Sequence, residues 1–206
     1  MLNTHIPLKP LIAQQRVVIA SSNAGKVRDF ASLLAPLGWS TLGLHEVDAH
    51  LPIEAQGPQA TLAGNATLKA ETVATHLNDP TLWVLADDSG LFVDALHGAP
   101  GVDTAHYGGY PKLLEAMRDI PNTARQAEFR CVLALARPGM PTLLAQGTDT
   151  GCIAPSAQGD HGFGYDPVFI PTGFSQTFAE LKARGALPFS HRGRAVSALI
   201  EALATP

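Results

Sequence analysis

Arg16-Val17-Val18-Ile19-Ala20 is a short β-rich run, followed by the polar loop Ser21 to Lys26 and then by Val27, Phe30, Leu34 and Leu37 at helical spacing. The alternation continues downstream. Ala63, Ala66, Ala70, Val73, Ala74 and Leu77 form a second helical stripe, which Asn78-Asp79-Pro80 ends before another apolar run at Trp83 to Ala86. Strand and helix periodicities in turn predict an α/β fold. Phe129 to Ala136 and Thr142 to Gln146 read as two strands joined by Arg137-Pro138-Gly139-Met140-Pro141, a hairpin that makes the sheet mixed. Asp166 to Ile170 adds a strand, and a last helix runs from about His191 to Leu203 with Ala195, Ala198, Leu199 and Ala202 inward. With 206 residues, 46% hydrophobic and 16% charged, the chain can bury a sizeable core. We read residues 1–15 as a loose N-terminal extension and 16–206 as a single domain.

The formal charge of −4 argues against general nucleic-acid affinity, which needs a net basic face to release counterions from phosphates. No apolar run approaches the length of a membrane span. Cys131 and Cys152 have neither metal-ligand spacing nor a disulfide framework, which fits a reducing cytoplasm.

Six segments carry possible chemistry. Asp87-Asp88-Ser89-Gly90 follows the apolar run at Trp83 and has the residue types of a turn that closes the strand. Its carboxylates serve either that turn or a site, where they can hold a hard cation or deprotonate a water. The loop Ser21-Ser22-Asn23-Ala24-Gly25-Lys26 lies where free backbone N–H groups and a helix dipole favour a phosphate. It equally reads as a helix capped by Asn23 with an exposed lysine. Glu54, in a proline- and glycine-bounded stretch, is free to act as a ligand or to sit on the surface. Lys69 lies beside the apolar stripe of its helix and either snorkels over the core or reaches into a cleft. Gly162-Phe163-Gly164-Tyr165-Asp166-Pro167 suits a stacked heterocycle or a glycine turn whose aromatics plug the core. Ser190-His191-Arg192 opens the last helix with a basic pair that opposes the helix dipole, which favours a ligand there.

Taken in order, Ser-Ser-Asn-Ala-Gly-Lys at 21–26, Glu-Ala-Gln-Gly at 54–57, Ala-Asp-Asp-Ser-Gly-Leu at 86–91, Gly-Ala-Pro-Gly at 98–101, Phe-Gly-Tyr-Asp-Pro at 163–167 and Ser-His-Arg-Gly at 190–193 resemble the inosine triphosphate pyrophosphatase family. The resemblance implies an elongated mixed β-sheet flanked by helices, two lobes with the active cleft between them, and a homodimer. It implies cleavage of non-standard purine nucleoside triphosphates between the α and β phosphates. By matching motif, Ser21, Ser22, Asn23, Lys26 and Lys69 hold the triphosphate, with Ser89 close by. Glu54 and Asp88 bind Mg2+, Asp88 is also the general base, and Asp87 supports it. Phe163 stacks on the purine, while Gly164, Tyr165, Asp166, His191 and Arg192 shape the base pocket. The chain departs from the family at Ala186, where a lysine is usual four residues before Ser190, at Gly64, where glutamate is usual, and at His106. These changes bear on specificity and rate before reaction type. They leave room for a pyrophosphatase of another modified nucleotide, or for a nucleotide-binding protein without turnover. Either Lys182 or Arg184 reaches the space left by Ala186, or the flanking Gly185 and Pro188 give the loop a different path.

Overall fold

The structure, a computed structural model, describes residues 15–47, 61–185 and 190–204. In chain order its main elements are β1 (Arg16–Ile19), α1 (Ala24–Leu34), β2 (Ser40–Gly43), α2 (Leu44–Val47), α3 (Leu62–Leu77), β3 (Trp83–Val93), β4 (Pro100–Gly101), α4 (Gly109–Ala116), β5 (Gln126–Ala136), β6 (Leu143–Ile153), β7 (Phe169–Pro171), α5 (Phe178–Lys182) and α6 (His191–Ala204). One seven-stranded sheet runs β2-β1-β3-β5-β6-β7, with β4 on β3. β1 lies parallel to β2 and β3, and every other pairing is antiparallel. The mixed α/β architecture is thus the one that the sequence predicts, and its longest strands are the eleven-residue β3, β5 and β6.

Local chemistry sets the helix ends. Asn23 Oδ1 accepts from the N–H groups of Gly25 and Lys26 at 2.9 and 3.2 Å and starts α1. Thr61 does the same for α3 through Gly64, and Asn78, with φ of 46°, ends it in the left-handed region. α1 and α6 cover one face of the sheet, packing Phe30, Leu34, Ala195 and Leu199 against Ile19, Trp83, Leu85 and Leu133. On the opposite face α3 packs Ala66, Ala70 and Val73 against Val18, Val84 and Ala86. β1, buried on both sides, therefore has no polar alternation.

Three expectations change. Asp87-Asp88-Ser89-Gly90 is not a turn: β3 runs straight through it, because residues Val84 to Val93 all pair with β5, from Ala136 back to Ala127. A long antiparallel ladder outweighs the turn preference of four residues. The expected strand at 166–170 begins only at Phe169, since Asp166 and Val168 are held by turn bonds to Phe163 and Tyr165. The hairpin strands are longer than their apolar cores, β6 reaching Ile153. As for the expected extension, residues 1–14 lie outside the described residues. Gln15, its last residue, is tied to the sheet through Trp83 Nε1 and the N–H of Ser40.

Candidate active site

β1 supports β3 only as far as Leu85, and β4 takes up the same edge only at Leu91. Between them, Ala86 to Gly90 have no strand partner on that edge among the described residues. The loop Ser21 to Lys26 leaves the carboxyl end of β1 at this gap, the usual place for a ligand in an α/β sheet. The backbone oxygen of Asp87, exposed by the gap, accepts from Lys69 Nζ at 2.5 Å.

Strand alternation sends the two aspartates to opposite faces. Asp87 follows Trp83 and Leu85 toward α1 and α6, where it is buried, ion-paired to Lys26 at 2.9 Å and bonded by Ser89 Oγ at 2.9 Å. Burial pushes its carboxyl up, but the charges of Lys26, Arg192 and Lys69 more than cancel that and lower it to about 2. Asp88 follows Val84 and Ala86 toward α3. Its Oδ1 accepts from Lys69 Nζ at 3.0 Å and its Oδ2 from Asn65 Nδ2 at 2.9 Å. Asn65 and Lys69 are four residues apart and so share one helix face. Asn65 was not foreseen as a site residue, although its spacing from Lys69 was the available signal.

Glu54 lies outside the described residues, and among the described ones no group of three or more His, Cys, Asp or Glu is placed to hold a metal. Asp88 nonetheless fits a hard cation. Each of its oxygens has one hydrogen-bond donor and keeps a lone pair, and carboxylate oxygen is the donor such cations take.

The aromatic loop closes the other side. Phe163 lies so tightly on Gly25 that a Cβ there would come within 2.4 Å of the ring, which makes glycine necessary. The ring is flanked by the Arg192 guanidinium at 4.8 Å and by Lys182 Nζ at 5.0 Å. Gly164, with φ of 63°, turns the loop. Buried Asp166 accepts from the N–H of Phe163 at 2.8 Å and from Lys182 at 3.0 Å. Tyr165 is largely a core residue, donating to the Thr104 carbonyl at 3.1 Å. A cavity of about 300 Å³ is lined by Asn23, Lys26, Asp88, Ser89, Phe163, Gly164, Tyr165, Asp166 and Arg192, so these residues meet as the motifs suggested. Ser21 Oγ accepts from the N–H of Asn23, and Ser22 is exposed at the loop.

His191 corrects the idea of a basic pair. It is 1% exposed and stacks on Phe129 at 4.6 Å and 9°. Burial, aided by the charges of Arg192, Lys182 and Lys26, holds its pKa well below the usual value, so it is neutral at pH 7 and the dipole conflict reduces to Arg192. Both its ring nitrogens and Arg192 Nε are buried without hydrogen-bond partners among the described residues. Such orphans clustered beside an aromatic ring mark a place where a polar ligand completes the structure. Asp149, which the sequence did not single out, packs beneath this point. It bonds Arg194 Nε at 3.0 Å and faces the backbone N–H of His191.

The Ham1 family pattern matches residues 17–202. The chain belongs to the Ham1 family. Relatives include the dITP/XTP pyrophosphatase of Oceanobacillus iheyensis, 39% identical over 194 residues (90% of this chain, 96% of that one), and that of Geobacillus kaustophilus, 42% identical over 195 residues (91% and 93%). The solved Ham1 protein of Staphylococcus aureus superposes with a TM-score of 0.75 at 36% identity, covering 92% of this chain and 98% of that one. The Ham1 match spans both aspartates, both lysines and the Phe163 loop. Among the described residues no helix is long and apolar enough to cross a membrane.

Proposed function

We propose that this chain is a magnesium-dependent pyrophosphatase that converts inosine and xanthosine triphosphates, and their deoxy forms, to the nucleoside monophosphate and pyrophosphate. The observation that carries the reading is the split aspartate pair. Two adjacent carboxylates, each held by its own lysine on its own face of β3, sit at a gap in the sheet beside a ring flanked by cations. The names of the relatives support the chemistry and the substrate class.

In this reading Lys26 and Lys69, with Ser21, Ser22, Asn23 and Ser89, hold the triphosphate. Asp88, oriented by Lys69 and Asn65, removes the proton from the attacking water. Asp88 and Glu54 are the residues that would hold magnesium, which when bound supplies neutralising charge to the leaving pyrophosphate. Asp87 stays ionised and anchors Lys26. Phe163 stacks on the base, and Arg192 with neutral His191 reads its 6-keto edge, where an adenine amine would set donor against donor. A cytoplasmic homodimer completes the proposal. Light scattering on the purified protein checks the dimer, which requires twice the 21.6 kDa chain mass.

The test is pyrophosphate release with magnesium across ITP, XTP, dITP, GTP, ATP and dUTP. We expect turnover confined to the first three, and Asp88→Asn to lower it roughly a hundredfold or more. Selective turnover of another nucleotide moves the substrate assignment. Tight nucleotide binding without release, unchanged in Asp88→Asn, defeats the catalytic reading.

A further inference from the structure

Lys182 belongs to none of the motifs above, yet it sits at the centre of the polar cluster beneath Phe163. It is the last residue of α5, whose position is fixed at both levels of structure. Thr177 and Glu180 form a reciprocal cap at the start of the helix, and Thr177 Oγ1 donates to the Gln158 carbonyl at 2.7 Å. The N–H of Ala179 donates to the backbone oxygen of Asp166 at 3.1 Å, which ties α5 to the Phe163 loop. The Lys182 side chain is 10% exposed, and its Nζ bridges Asp166 Oδ2 at 3.0 Å and Asp29 Oδ2 at 3.1 Å. It also lines a cavity of about 670 Å³ on the α1–α6 side of Phe163, which Asp29, Gly25 and Phe163 share.

We infer that Lys182 is a specificity-determining residue of the base pocket, whose remaining N–H donates to the 6-keto oxygen of a purine stacked at Phe163. The inference rests on the proposed reading of this site. An ammonium has three donors, and the two carboxylates take two. No other described residue bonds the third, whereas a nearly buried donor is normally satisfied. Were the cluster only a brace between Asp29 and Asp166, a planar guanidinium would serve two carboxylates better than a point charge does. The position has chemical consequences. Lys182 and Arg192 stand over the Phe163 ring, 5.0 and 4.8 Å from its centroid, so a base brought to that ring meets cationic donors. A keto oxygen accepts from them, while a 6-amino group presents donor to donor.

The experiment compares inosine triphosphate with purine riboside triphosphate, which lacks any 6-substituent, on wild type, Lys182→Met and Lys182→Arg. Binding of the two corresponding monophosphates is measured by calorimetry. We expect Lys182→Met to lower the inosine-to-purine-riboside ratio of kcat/KM by roughly 10- to 100-fold, mostly through KM, and the binding ratio by a similar factor. Lys182→Arg, which keeps the charge, restores part of the ratio. Because both substrates are measured on the same sample, any unfolded fraction of a variant cancels in the ratio. Equal losses on the two substrates, an unchanged ratio, or a wild type that does not distinguish the monophosphates overturns the inference. A wild type without turnover whose preference for inosine monophosphate disappears in Lys182→Met defeats the pyrophosphatase reading and leaves Lys182 as the base-reading group.

Discussion

His191 shows how burial decides what one side chain can do. Its ring, stacked on Phe129 and close to Phe178, is removed from water and faces the charges of Arg192, Lys182 and Lys26. Its folded pKa is therefore depressed below the usual 6.5, so as pH falls through that value the unfolded chain takes up a proton that the native state refuses. Stability contributed by the neutral ring is complete above pH 6.5 and is lost progressively below it, by up to about 1.4 kcal/mol per pH unit. His191→Phe keeps the stacking and removes the titration. We expect urea unfolding to show the stability of the wild type falling relative to that of the variant from pH 6.5 to 5, with the two parallel above pH 7. A constant difference across the range would show that the ring is not held neutral.

At the scale of elements, the site depends on α6 lying close against β6. At Gly147 a Cβ would stand 2.2 Å from the His191 carbonyl oxygen and 2.3 Å from the Ala195 nitrogen, both backbone atoms of α6 that cannot rotate away. Only glycine permits this approach. We expect Gly147→Ala to push the start of α6 off the sheet, costing about 2 kcal/mol or more of stability. Since that turn carries His191 and Arg192, KM for inosine triphosphate should rise as well. A thermal midpoint and KM both within error of wild type would contradict the packing. Arg125, just before β5, does comparable work, joining the carbonyls of Met117 and Ile120 to those of Ile153 and Ala154. This buried guanidinium, satisfying four carbonyls, was not singled out from the sequence.

For the molecule as a whole, charge bears on the proposed metal requirement. The site cations Lys26, Lys69, Lys182 and Arg192 are matched by Asp87, Asp88, Asp29 and Asp166, and the chain carries a net charge of −4. Among these described residues no positive charge is left over for a triphosphate. In the proposed reading a divalent cation would supply the missing positive charge, so EDTA should weaken nucleoside triphosphate binding at least tenfold as well as stop turnover. Calorimetry with and without magnesium checks this. Binding of equal strength in EDTA would mean that the lysines suffice.

Local sequence indicated β1, α1, α3, β5, β6 and α6, because their periodicities and caps depend on residues a few positions apart, whereas β2, α2, β4 and α5 went unread. It also indicated the reaction, though only through the family resemblance that Ser21 to Lys26, Asp87-Asp88, the Phe163 loop and the other ordered motifs carry together. It misread Asp87-Asp88-Ser89-Gly90 as a turn, since the ladder that straightens those residues comes from β5, some forty positions downstream. Tertiary structure alone decided which lysine pairs with which aspartate, that His191 is neutral, and that Asn65 lies against Asp88. Those outcomes follow from strand alternation, burial and contacts between residues as far apart as Asp29 and Arg192, which no local pattern encodes.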